Sequence, residues 1–290
     1  MRKPVEFTTG LRRGVSGKLF KALKLSYQFI RRPFASPERV LFIVGCPRSG
    51  TTLLHDLLDG EFDIRIYGER SPLTSHDTTD HIRLNDLRSV RYTLSRAHAR
   101  MVVVKPLVET QNTSQLLAGV PNSKALFVYR HFRDVVASDL RIFGVRNGIL
   151  NLKPIVDGND SNWRSQRTSA HVRTTILKHF SGSMNPYDAA ALFWYARNSL
   201  FFDLGLDRDP AVRLLQYERL IAEPAAVINE ILHFAGFGRR SRRALRHVRP
   251  ESERKSHDFE ISAGVLGLCE ELLRRLEDCR GRQGRASSNA

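Results

Sequence analysis

Long apolar runs are missing from this chain, and so are paired cysteines. No stretch of its 290 residues approaches the roughly 20 consecutive apolar side chains that span a bilayer. Its three cysteines, Cys46, Cys269 and Cys279, cannot build a disulfide framework, and no two of them form a CxxC pair. The histidines are scattered: His76 and His81 flank Asp77 and Asp80 in a polar stretch without zinc-protease or zinc-finger spacing, so no metal site is expected. The first residues lack an apolar segment followed by a small-residue cleavage site, and a cytoplasmic protein is expected. Acidic side chains are also scarce, with 30 Asp and Glu against 46 Lys and Arg, a net charge of +16. Such a field gathers anions of any kind, whether nucleotide, acidic sugar, nucleic acid or anionic lipid, without choosing among them.

Against these absences, a hydrophobic content of 41% supports a real core. The most informative stretch is 39–52, RVLFIVGCPRSGTT. Val40 to Val44 form a continuous apolar run of the kind found in the middle of a parallel sheet. Gly45 and Gly50 then bracket four residues, as in a nucleotide P-loop, where the chain turns tightly and aims successive N–H groups at an anion. A triphosphate-binding loop needs Lys directly after the second glycine, yet Thr51 stands there and the cation is Arg48. One phosphate with a neighbouring anion is therefore the expected occupant. Cys46, inside the loop, is either a small side chain filling a tight turn or a thiol made reactive by the helix N-terminus.

Further apolar runs of strand length lie at 64–67, 101–104, 125–129 and 212–216, and helical patterns at 52–58, 133–143, 187–204, 224–235 and 264–276 separate them. This alternation predicts an α/β domain, a P-loop-type parallel sheet flanked by helices on both faces, over residues 39–280. Before it, residues 1–38 form a basic segment in which Leu19, Phe20, Leu23, Tyr27 and Ile30 recur at helical spacing among lysines and arginines until Pro33. Such a helix either packs on its own domain or makes a peripheral contact with an anionic membrane through residues 18–32. The polar stretch 68–100 is expected to hold one or two helices. Residues 144–186 have no clear period and read as a variable insertion or lid, and 281–290 as a frayed tail.

In an open parallel sheet, ligands bind beyond the carboxyl ends of the strands. Two strands here end in Lys105 and Arg130, and none ends in the acidic residue with which a nucleotide hydrolase holds Mg²⁺. A site with Arg48, Lys105 and Arg130 neutralises separate phosphate or sulfate groups without a metal. This opposes the alternative of a P-loop kinase or hydrolase. A second alternative, a non-catalytic basic module for nucleic acid or membrane, accounts for the charge but leaves the loop and the cationic strand ends unexplained; no nucleic acid is expected.

With these residues in place, the chain resembles the sulfotransferases that use 3′-phosphoadenosine 5′-phosphosulfate (PAPS). Pro47 to Thr52, PRSGTT, is similar to their 5′-phosphosulfate loop, and Arg130, Asp134 and Ser138 to their 3′-phosphate motif R-x-x-x-D-x-x-x-S. Tyr217-Glu218-Arg219-Leu220 followed by Pro224 resembles their YEDL segment near the adenine, with Arg where Asp is usual. The PRSGTT branch includes bacterial, carbohydrate and tyrosylprotein sulfotransferases. The resemblance implies cofactor contacts from Arg48, Ser49, Gly50, Thr51, Thr52, Arg130, Ser138 and Tyr217, joined by Arg254 and Lys255 in a late basic segment that lacks the usual glycine. It implies in-line transfer to a hydroxyl acceptor, with Arg48 and Lys105 neutralising charge. The small-molecule branch has a His base shortly after its Lys, a place Leu107 fills here, whereas Glu69 in Tyr67-Gly68-Glu69-Arg70 matches the Glu base of the tyrosylprotein branch. A surface pair with Arg65 or Arg70 is the other reading of Glu69. The positive charge favours an acidic glycan or glycolipid as acceptor.

Overall fold

The computed structural model describes residues 15–32, 36–77, 81–238 and 259–288. In chain order the elements are α1 (Val15–Arg31), β1 (Arg39–Gly45), α2 (Thr51–Leu58), β2 (Ile64–Tyr67), β3 (Thr74–His76), β4 (Ile82–Leu84), α3 (Leu87–Ser95), β5 (Met101–Val104), α4 (Thr113–Gly119), β6 (Ser123–Tyr129), α5 (Phe132–Phe143), α6 (Asn147–Val156), α7 (Ala170–His179), α8 (Pro186–Asp203), β7 (Val212–Gln216), α9 (Tyr217–Ala222), α10 (Pro224–Phe234) and α11 (Ala263–Ser288). Five strands form one parallel sheet in the order β2-β5-β1-β6-β7. The chain turns to one side of β1 for β2 and β5 and crosses to the other for β6 and β7. The loop after β1 therefore opens at the switch point, where such sheets bind ligands.

Alternation along the strands divides the core in two. Val40, Phe42 and Val44 of β1 join Val102, Phe127 and Tyr129 in a cluster that includes Trp194 and Phe201 of α8 and Leu272 of α11. Leu41 and Ile43 face the other way, with Val103, Leu126 and Val128, against Leu54 and Leu58 of α2 and Ile228 and Ile231 of α10. Both faces being covered is why the strand sequences are continuously apolar.

Two expectations need correction. Residues 144–186 are not an irregular lid: α6 and α7 pack there, burying Leu152, Ile155, Val172 and Ile176. Gly148 lets α6 lie against α8, since a Cβ there would stand 2.6 Å from the Ala190 nitrogen. The connection between α6 and α7 is tied to the β3–β4 hairpin, Arg83 to Gln166 at 3.3 Å and Arg164 to His81 at 3.2 Å. Within 68–100, expected to hold one or two helices, α3 is the helix found among the described residues, and the β3–β4 hairpin precedes it. Nor does the chain fray from residue 281, because α11 continues to Ser288. Gln283 fastens it to β7, accepting from the Leu214 N–H at 2.9 Å and donating to the Val212 carbonyl at 3.3 Å.

Helix α1 packs on its own domain through polar groups. Lys24 Nζ donates to the carbonyl and the carboxylate of Asp59, each at 2.8 Å, and Gln28 Nε2 to the carbonyls of Phe62 (2.8 Å) and Ile64 (3.1 Å). Phe20 and Tyr27 set their rings edge-on to Phe62. All these partners lie before or at the start of β2, so α1 is fixed at the end of the sheet where the strands begin. Each such hydrogen bond contributes about 0.5–1.5 kcal/mol net.

Candidate active site

The loop between β1 and α2 is built from unusual backbone conformations. Gly45, Arg48 and Gly50 have φ of 140°, 69° and 87°. Left-handed backbone at a non-glycine such as Arg48 costs on the order of 1 kcal/mol and marks a functional turn. Gly50 is the N-cap of α2, whose first turn carries no acidic residue to offset its dipole. Thr110, absent from the sequence-based candidates, clamps the base of the loop: its Oγ1 accepts from the Gly45 N–H (3.0 Å) and donates to the Gly45 carbonyl (2.9 Å). Only its burial reveals it; no motif points to it.

Cations from the neighbouring strands converge on this loop. Lys105, directly after β5, is 8% exposed; its Nζ donates to Thr52 Oγ1 at 2.8 Å and lies 3.1 Å from Glu69 Oε1. Glu69 thus pairs with Lys105, not with Arg65 or Arg70. Arg48 Nε donates to Ser138 Oγ at 3.2 Å, joining the loop to α5. Burial lowers the Arg48 pKa from its usual value and the charges of Arg130 and Arg141 add to this, while Asp139 and Glu69 oppose it; a guanidinium remains charged. Asp139, also unforeseen, is buried beside Ser138 and accepts from Asn147 Nδ2 at 2.7 Å. Desolvation raises its pKa, with Asn147, Arg48 and Arg164 opposing.

Arg130, directly after β6, stacks its guanidinium over the Tyr217 ring at 4.3 Å. Its Nε lies 3.7 Å from Asp134 Oδ2 and has no hydrogen-bond partner although buried. Its carbonyl accepts from Trp194 Nε1 at 3.0 Å. Trp194, Tyr195 and Asn198 otherwise belong to the core, not to a substrate wall. The Tyr217 ring in turn covers Gly50, so one aromatic side chain touches both halves of the site. Next to it, Glu218 accepts from the His131 N–H at 2.9 Å and braces the turn into α5. Burial raises its pKa, and the bond to His131 opposes that. Arg219 points away and pairs with Glu230 of α10 at 2.7 Å. Arg254 and Lys255 lie outside the described residues.

Cys46 is 1% exposed, and desolvation pushes its thiol well above the usual value. It is the small buried side chain, not a reactive thiol. Alkylating reagents should leave Cys46 unmodified in native buffer and label it only in denaturant, as peptide mass mapping would show. Among the described residues no group of three His, Cys, Asp or Glu is placed to hold a metal, and no helix is long and apolar enough to cross a membrane.

The loop at the switch point thus gathers three cations from separate strand ends, Arg48, Lys105 and Arg130, around one helix N-terminus. The sulfotransferase family model matches residues 40–239, and the chain belongs to that family. Comparison with curated proteins gives no match. Among solved structures, the sulfotransferase domain of the Synechococcus PCC 7002 olefin synthase is 17% identical, with 82% of this chain and 96% of that one covered and a TM-score of 0.48. A sulfotransferase from Alicyclobacillus acidocaldarius is 16% identical, with 85% and 96% covered and a TM-score of 0.46. Mouse SULT7A1, solved with PAP, is 18% identical, with 73% and 63% covered and a TM-score of 0.37.

Proposed function

We propose that this sulfotransferase uses PAPS as donor and a hydroxyl of an acidic carbohydrate or glycolipid as acceptor, with Glu69 as the base. The observation that carries this is the position of Lys105, whose ammonium touches both the phosphate loop, at Thr52, and the Glu69 carboxylate. The site suits a doubly phosphorylated nucleotide: Ser49 Oγ and Arg130 Nε are buried polar atoms without partners, and Tyr217 offers a ring beside Arg130 and Gly50. When bound, PAPS supplies the sulfuryl group and a phosphate leaving group.

The N–H groups of Ser49 to Thr52 and the hydroxyls of Thr51 and Thr52 hold the 5′-phosphate, at the positive end of α2. Arg130 and Ser138 hold the 3′-phosphate, and Arg254 and Lys255 are assigned to the same task. Glu69 takes the proton of the acceptor hydroxyl as that oxygen attacks. Arg48 and Lys105 neutralise the charge that grows on the departing and transferred oxygens, as in phosphoryl transfer, where the protein mainly positions and neutralises. Removing one such donor typically costs about 2.7–4 kcal/mol of barrier. Residues 39–280 form the transferase domain in this assignment, with 1–38 as an attached basic segment. The segments 70–100 and 144–186, joined through Arg83 and Arg164, shape the acceptor pocket.

Thermal unfolding tests the donor. Adenosine 3′,5′-bisphosphate at ~100 times its Kd should stabilise the protein by about 2.7 kcal/mol, equally with and without a chelator. Stabilisation by Mg-ATP with no response to the bisphosphate would overturn the assignment. A screen of neutral and acidic oligosaccharides and glycolipids with radiolabelled PAPS identifies the acceptor; sulfation of neutral sugars alone would refute the preference for acidic ones.

A further inference from the structure

The helix that precedes the sheet is turned inside out. On α1 the buried residues are Lys24 and Gln28, while Leu19, Leu23, Phe29 and Ile30 are 59%, 55%, 59% and 75% exposed. These are four of the ten large hydrophobic residues exposed among the described residues, gathered on one helix of 17 residues. Leu19, Leu23 and Ile30 are spaced by four and seven and form one stripe. Phe29, beside it, rests edge-on against His98. A helix that docked merely to hide its apolar side would have turned the other way. Instead Lys24 and Gln28 are bound to specific carbonyl groups, which fixes the apolar stripe outward.

Charge indicates what covers it. Residues 7–37 contain seven Lys and Arg and no Asp or Glu. Lys21 and Arg31 are exposed on α1, and Arg65 and His98 line a concavity with Phe29 and Ile30. We propose that the outward stripe of α1 seats on an anionic lipid bilayer, with Leu19, Leu23 and Ile30 entering the boundary between headgroups and acyl chains and the cations contacting acidic headgroups. Lys24 is paired with Asp59 and Arg32 with Glu38, but an apolar stripe beside the exposed Lys21 and Arg31 is the composition of interfacial helices. A protein partner selected by such a rim would itself need an acidic surface edged with apolar groups; the bilayer supplies both at once. This docking is independent of the donor and acceptor assignments.

The full-length protein should co-sediment with phosphatidylcholine vesicles containing about 30% phosphatidylglycerol and much less with pure phosphatidylcholine. A variant carrying Leu19→Ser, Leu23→Ser and Ile30→Ser keeps every charge and every docking contact. Its partitioning should fall about a hundredfold, with bisphosphate binding unchanged. Equal binding by the variant would mean that the basic surface merely adheres, and the proposal fails. It fails as well if the protein dimerises without lipid and the variant does not, because a second copy then covers the stripe. As an independent reading, Leu23→Cys labelled with a polarity-sensitive fluorophore, selectively because the native thiols are buried, should shift its emission to the blue on anionic vesicles. Unchanged emission overturns insertion.

Discussion

Glu69→Gln should abolish sulfuryl transfer and leave bisphosphate binding intact. The carboxamide keeps the size of Glu69 and an oxygen for Lys105, whose Nζ also retains its bond to Thr52. The phosphate loop therefore stays assembled, and only the capacity to take a proton is lost. General-base catalysis contributes about 10²–10⁴-fold, so turnover should fall by that factor with little change in the Kd for adenosine 3′,5′-bisphosphate. Lys105→Ala provides the contrast: it removes a cation shared by the loop and Glu69, and both turnover and nucleotide affinity should fall. A fully active Glu69→Gln enzyme would remove Glu69 from the mechanism, while the nucleotide contacts would stand.

Gly50→Ala should cost the enzyme its nucleotide site. The position has φ 87°, and a Cβ would stand 2.0 Å from Cδ2 and 2.3 Å from Cε2 of Tyr217. Either the loop or the ring must move, and both form the site. Tyr217 also carries the Arg130 guanidinium, so the disturbance crosses from the proposed 5′-phosphate side to the proposed 3′-phosphate side. We expect at least a hundredfold loss of bisphosphate affinity, roughly 3 kcal/mol, measured by calorimetry. The fold should survive, since most single substitutions cost about 0.5–3 kcal/mol. Gly144→Ala is the control: its φ is 90° but no atom lies within 4 Å of the added Cβ, so it carries backbone strain without a clash. If Gly50→Ala binds no worse than Gly144→Ala, the contact with Tyr217 has no role.

The sheet was legible because its strands are buried on both faces. Val40 to Val44, 101–104 and 125–129 read as unbroken apolar runs that no amphipathic helix would show, and with the shorter, interrupted runs at 64–67 and 212–216 they mark all five strands of the sheet. The turn of the candidate site was legible at the same place, since the glycines of PRSGTT and of its approach take the positive φ that such a turn requires. Elements held by side-chain hydrogen bonds were not legible. Residues of α6, the connection after it and the β3–β4 hairpin serve a polar network: Arg83 bonded to Glu109 at 2.6 Å, Arg164 to Asn151 at 2.7 Å, and a fully buried Arg197 to Gln111 at 2.8 Å. Desolvation lowers the pKa of that last guanidinium to about 10. A sequence shows such a network only as polarity, which is also what a loop looks like. Thr110 escaped for a related reason: it acts on the backbone N–H and carbonyl of Gly45, groups that every residue carries.

The attachment of α1 has a consequence for how the acceptor arrives. Lys24 and Gln28 hold this helix where the parallel strands start, whereas Lys105, Arg130 and the phosphate loop follow their far ends. Across β1 alone the separation is seven residues, about 23 Å at ~3.3 Å each. An enzyme resting on a leaflet by α1 would carry its cleft well clear of that leaflet, opening to the aqueous side. Freely diffusing glycans could then reach Glu69 directly, while a short headgroup rooted in the supporting leaflet could not, so soluble chains should be sulfated faster than lipids of the same vesicle.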